Sequence, residues 1–173
     1  FLWLCLPFVE VDADGKRNAV KWWGDVEETK RYAMATVQEA CTNWGGDSKR
    51  VVLCGFSRGA IACNYIGLHD DEIASLWCGF YCHSHYDGVR EGWPYADADR
   101  ESALVRLRRL GDRPQWISHE GAIDATRDYL NATGITGNWT FVPIPFRNHR
   151  DAWVLRDVPE RRAARQWLQQ VIQ

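Results

Sequence analysis

The chain has 173 residues, 46% of them hydrophobic, and a formal net charge of −2. That length and apolar content support one domain with a sizeable core. The near-neutral balance excludes a polyanion binder by composition: the arginine clusters Arg106, Arg108, Arg109 and Arg161, Arg162, Arg165 are interleaved with apolar residues at helical spacing and read as solvated helix faces.

The first nine residues, FLWLCLPFV, form a continuous apolar run. It is too short to span a bilayer, and it lacks the basic flank and small-residue cleavage site of a signal peptide. A buried strand is expected there. The chain opens on Phe in mid-strand, so an upstream segment is expected as well. Residues 11–25, VDADGKRNAVKWWGD, are polar and turn-rich. Their start echoes a calcium loop, but the third acidic ligand and the terminal Glu are missing, which leaves an Asp-Gly turn as the reading.

DVEETKRYAMATVQEACTNW predicts an amphipathic helix, broken by GGDSK. RVVLCGF predicts a strand, SRGAIACNYIGLH a helix and SLWCGFYCHSH a strand. YDGVREGWPYADADR is irregular and leads into a short helix, ESALVRLRRL. QWISHE predicts a strand, ATRDYLNAT a helix stopping near Gly134, and WTFVPIPF a fifth strand. The closing stretch, from Ala152 to Ile172, predicts a helix interrupted near Pro159. Apolar strands alternating with helices imply an α/β fold: a mostly parallel sheet covered by helices on both faces. Ligands of such sheets bind beyond the strands' carboxyl ends, and three informative stretches lie there: GFSRG, HEGAID and FRNH.

The cysteines Cys5, Cys41, Cys54, Cys63, Cys78 and Cys82 mostly sit in apolar runs and form no CxxC pair. They read as small reduced hydrophobes, not as a zinc or redox motif. The compartment stays open between the cytoplasm, the first reading, and secretion if a signal peptide lies upstream. In the secreted case the sequons at Asn131 and Asn138 become relevant. Most of the ten tryptophans are expected in the core, with a few available to line a cleft for a sugar ring or an aromatic acyl group.

GFSRG carries the chemistry. A strand turning sharply into a helix strains the turn residue, and small neighbours on either side relieve collisions. Gly55 and Gly59 are read in that role, with Ser57 projecting above the sheet at a helix amino terminus. The backbone N–H of Arg58 is then available to a developing oxyanion. The plainer alternative is a glycine-rich turn with a helix-capping serine.

A serine needs a base. Of five histidines, His69 suits a helix end, His83 and His85 form a pair without an obvious third metal ligand, and His119 ends a strand. His149, beyond the last strand, is the expected base. The base needs an acid. Asp124 stands three residues after Gly121 and ranks first, although it also looks like a helix N-cap. Glu120 is the main rival and Asp87 the second. Residues 86–113 are either a lid or an ordinary helical excursion. Phe56, Trp93 and Tyr95 are the expected substrate contacts.

Together, GFSRG, HEGAID and FRNH resemble the α/β-hydrolase superfamily from its fourth to its eighth strand, in the order Ser57, Asp124, His149. NHRDAWVLRD looks like the His-x-x-x-Trp arrangement of esterase-like and prolyl-oligopeptidase-like members. The resemblance implies a serine hydrolase that cleaves an ester through an acyl-enzyme, with no metal or organic cofactor. The implied substrate is a small-molecule ester or an acylated saccharide. A peptidase or amidase on the same scaffold, and a non-catalytic binding module retaining the fold, are the alternatives. One departure matters. The family's other oxyanion donor usually comes from a loop after its third strand, and this chain reads as beginning at the fourth, so that loop is not expected within it.

Overall fold

The computed structural model describes residues 1–173, which divide into two units, 1–49 and 50–173. In the first unit, strands β1 (Val9–Asp12) and β2 (Gly15–Asn18) pair antiparallel, with Asp12 opposite Gly15. The Asp-Gly signal makes this turn: the Asp14 N–H donates to Asp12 Oδ1 at 2.9 Å, and Gly15 takes φ +118°. Arg17 bridges Glu10 at 3.1 Å and Asp12 at 2.8 Å.

Helix α1 (Val26–Asn43) starts where Asp25 caps the Glu28 N–H. Its apolar stripe, Ala33, Val37 and Ala40, is buried, as are Val9 and Trp23. Thr29 ties these parts together, accepting from the Val9 N–H at 2.8 Å and donating to the Trp23 carbonyl at 3.0 Å.

The strand expected over FLWLCLPFV does not form across residues 1–8, and Phe1, Leu2 and Trp3 are exposed. An apolar run supplies side chains for a buried face, but a strand also needs a neighbour to complete its hydrogen-bond ladder. Within its unit the pairing goes instead to the hairpin, largely in the stretch that reads as polar and turn-rich.

The second unit is α/β, a four-stranded parallel sheet flanked by helices. Its elements in chain order are β3 (Val52–Phe56), α2 (Arg58–Tyr65), α3 (Asp71–Ala74), β4 (Gly79–His83), α4 (Arg100–Leu107), β5 (Gln115–His119), α5 (Ile123–Ala132), β6 (Trp139–Pro143) and α6 (Pro159–Val171). Short 3-10 turns at 108–110 and 152–155 follow α4 and precede α6. The sheet order is β3-β4-β5-β6, with Phe56 beside His83 and His83 beside Ser118. The interruption expected near Pro159 is where α6 begins, with Pro159 in its first turn, the position at which a missing N–H costs nothing.

Alternation assigns the two faces. Tyr81 and its register partner Trp116 stack at 5.7 Å, and Trp167 of α6 covers both at 6.1 and 6.0 Å. Ile144 and Trp153 complete this cluster. Gly55, one pleat on from the residue that pairs with Tyr81, lies under α2, against the backbone of Gly59. Trp23, Trp77, Trp116, Trp153 and Trp167 are buried, so half of the ten tryptophans serve the core.

The excursion between β4 and α4 is tied down by charge. Asp87 and Arg106 are both buried and pair bidentately at 2.8 and 3.2 Å. Arg106 also donates to the Asp97 carbonyl, and Tyr65 of α2 donates to the Ala96 carbonyl. Burial pushes the Asp87 carboxyl above its ordinary value, against the opposing pull of Arg106.

Candidate functional site

The strand tips build the site. Ser57 immediately follows β3, Ser84 follows β4 and Glu120 follows β5, while His149 comes from the loop between β6 and α6. Ser57 holds φ +55° and ψ −119°, a conformation that costs an L-residue roughly 1–3 kcal/mol and persists only where its surroundings enforce it. The enforcement is visible in hydrogen bonds. The Ser57 N–H donates to the His83 carbonyl at 2.9 Å, and the Ser57 carbonyl accepts from the Ala60 N–H at 3.0 Å, starting the helix.

The two motif glycines differ in what requires them. A Cβ on Gly55 would lie 2.0 Å from the Gly59 carbonyl oxygen and 2.6 Å from the Ala60 nitrogen, so only glycine fits. A Cβ on Gly59 would meet nothing within 4 Å. The expectation that both glycines prevent collisions of their own side chains therefore holds at Gly55 and is corrected at Gly59.

Ser57 Oγ lies 2.9 Å from His149 Nε2, and His149 Nδ1 lies 2.7 Å from Glu120 Oε1. The imidazole is half exposed, at 51%, and the carboxylate is covered, at 10%. The ring is thus open to an incoming molecule while its partner is shielded. On its own, burial would push the Glu120 carboxyl up. Its own backbone N–H, His149 and Ser84 outweigh that and hold it below the ordinary carboxylate range. His119 approaches Glu120 Oε2 at 3.7 Å, but this is no ion pair. His119 Nδ1 accepts from the N–H groups of Gly121 and Ala122, both at 2.9 Å, so its lone pair faces inward and the proton sits on Nε2.

Asp124, the first-ranked acid in the sequence, is not brought to His149. It lies in the first turn of α5, with its side chain 78% exposed, and pairs with Arg127. Helix α5 starts two residues before the ATRDYLNAT pattern, which moves Asp124 from the expected cap onto the helix surface. Asp87, the third choice, is spent on Arg106. Glu120, the second choice, makes the contact.

An aromatic row backs the imidazole. Phe56 packs on His149 at 4.9 Å and stacks on His83 at 5.4 Å. His83 is buried, and its Nε2 accepts from the Trp153 indole N–H at 3.1 Å. Its Nδ1–H then faces Ser118, with Oγ at 3.1 Å. Burial lowers the His83 pKa, although the nearby Arg150 carbonyl and Glu120 pull the other way. His85 lies 5.5 Å from His149, and Trp93 lies 5.8 Å from His85 with the Arg90 guanidinium 4.3 Å above it. Tyr95 instead packs edge-on against Tyr65 of α2 at 4.9 Å. Phe56 and Trp93 therefore belong to the histidine row, and Tyr95 packs on the helix. The two histidines of CHSH do not converge either, because Ser84 between them takes φ +83° and breaks the strand alternation.

One residue, Ser84, was missed in the sequence, and His83, weighed there only as half of a metal pair, has a different place. Ser84 donates to Glu120 Oε1 at 2.8 Å and lies 2.9 Å from His149 Nδ1. His83 links Trp153 to Phe56. The signal for Ser84 was its place directly after an apolar strand, the same place that singles out Ser57.

Chemically, a hydroxyl bonded to an imidazole that is bonded to a carboxylate allows proton removal from the hydroxyl as it attacks. The backbone N–H of Arg58, the first residue of α2, follows directly. No family model matches this chain, and a search of the curated proteins finds no relative.

Proposed function

We propose that this chain is a serine hydrolase of the α/β-hydrolase type that cleaves an ester through an acyl-enzyme. The observation that carries the reading is the unbroken row Ser57–His149–Glu120, with links of 2.9 and 2.7 Å. In this reading Ser57 Oγ attacks the acyl carbon and His149 Nε2 takes its proton. The tetrahedral oxyanion accepts from the Arg58 backbone N–H, and the proton returns through His149 to the leaving alkoxide. Water repeats the sequence to release the acid. Glu120 orients the ring and stabilises the imidazolium. The strained Ser57 backbone and the glycine-only contact at Gly55 support the reading, because each is costly without a demand for that exposed hydroxyl.

The test is labelling with a fluorophosphonate probe. The wild type takes one label and Ser57→Ala takes none. An unlabelled wild type returns the chain to the binding-module alternative. Labelling with amide turnover and no ester turnover makes it an amidase.

A further inference from the structure

Ser84 has a side chain with nowhere to go but the site. It is wholly buried, and the two side chains its Oγ meets are Glu120 and His149. Its backbone stands at φ +83°, where glycine is unstrained and serine is not. The Ser84 N–H donates to the Ser118 carbonyl at 2.8 Å, which fixes the residue between the tips of β4 and β5. A strained, buried position that keeps a polar side chain points to a use for that side chain.

The geometry shows the use. Ser84 Oγ, Glu120 Oε1 and His149 Nδ1 form a triangle with sides of 2.8, 2.7 and 2.9 Å. The ionised carboxylate oxygen can only accept, so the serine proton points at it. The serine oxygen then turns a lone pair toward Nδ1. Two acceptors now face that nitrogen, and it must carry the proton. With Nδ1 protonated, Nε2 presents its lone pair to Ser57 Oγ, 2.9 Å away. The other Glu120 oxygen, Oε2, is buried with no hydrogen-bond partner, so Oε1 carries the carboxylate's anchoring to neighbouring side chains.

We propose that Ser84 is a positioning residue. Its hydroxyl clamps Glu120 Oε1 and locks His149 in the Nδ1–H tautomer, through which it sets the reactivity of Ser57. The proposal rests on the reading of Ser57 and His149 as nucleophile and base.

The experiment compares Ser84→Ala, which removes the hydroxyl and keeps the strain, with Ser84→Gly, which removes both. Nitrogen-15 NMR of histidine-labelled protein reads the His149 tautomer, assigned by loss of its signals in His149→Gln. Fluorophosphonate labelling reads Ser57. Losing one hydrogen bond to a charged group is expected to lower the ratio of Nδ1–H to Nε2–H forms about tenfold and to slow labelling about tenfold in both variants. Ser84→Gly melts no lower than Ser84→Ala, so a shared loss of labelling is not a loss of fold. An unchanged tautomer ratio in Ser84→Gly, or wild-type labelling rates in both variants, overturns the clamp. So does failure of both variants to fold, which makes the serine a structural requirement. Should the wild type take no label, the hydrolase reading and the effect on Ser57 reactivity fall together, and the tautomer ratio alone decides whether Ser84 clamps His149.

Discussion

Replacing Glu120 by Gln separates two carboxylates that lie four positions apart in the sequence. Glu120 Oε1 accepts from both His149 Nδ1 and Ser84 Oγ, and its side chain is only 10% exposed. The amide keeps the size but replaces one oxygen with a donor. If the nitrogen faces His149, the ring must turn its lone pair to Nδ1 and place a proton on Nε2, where it blocks acceptance from Ser57. Wrong-tautomer substitutions of this kind cost ~10⁴ in turnover. Asp124→Asn removes a surface pair with Arg127 in which the two side chains are 78% and 42% exposed. Such pairs contribute roughly 0–1 kcal/mol after solvent screening, less than a tenfold effect even if all of it reached the site. The expected gap between the two variants is therefore about 10³-fold or more. The assay is hydrolysis of a short-chain p-nitrophenyl ester, with thermal melts to show that both variants fold. Glu120→Gln turnover within threefold of wild type, or an Asp124→Asn loss larger than the Glu120→Gln loss, refutes the reasoning.

The two motif glycines should respond in opposite ways. Gly55→Ala forces a methyl to 2.0 Å from a backbone oxygen and should destabilise by about 3 kcal/mol or more, whereas Gly59→Ala points into open space and should be neutral or stabilise by up to about 1 kcal/mol; urea denaturation of both reads the sign. Acid stability should depend on His83, whose folded pKa lies below the ordinary 6.5 because burial disfavours the cation. Between those two values the unfolded chain binds more protons, so stability is fully present above 6.5, declines as pH falls, and is lost as pH passes the folded value. A urea series from neutral to acid pH should show that decline in the wild type and a shallower one in His83→Gln. An identical slope in the variant removes His83 as the cause.

The alternating pattern was legible because it rests on side-chain chemistry. Four apolar runs became the four parallel strands, and Pro159 marked the start of α6. The run at residues 1–8 misled for the complementary reason. Hydrophobicity identifies what can be buried, but the partner strand that would make it a strand is not encoded in the run itself. The hairpin beside it was legible only as a turn, since its strand residues, such as Glu10, Lys16 and Arg17, are charged and carry no alternation of apolar side chains.

In the site, the meeting of Ser57 and His149 could be read from local sequence, and the carboxylate that His149 contacts could not. Counting three residues from Gly121 treats the loop after β5 as a fixed length, and the two-residue earlier start of α5 defeats that count. Counting from the strand is physically sounder. A parallel sheet holds its strand ends in register through backbone hydrogen bonds, so the first residue past each end is placed by the sheet and not by the loop. Ser57, Ser84 and Glu120 are each that first residue on three neighbouring strands, and all three lie within one hydrogen-bonded cluster with His149. A helix-borne residue such as Asp124 is carried away by the 1.5 Å rise and 100° turn per residue of its helix, whatever its distance in sequence.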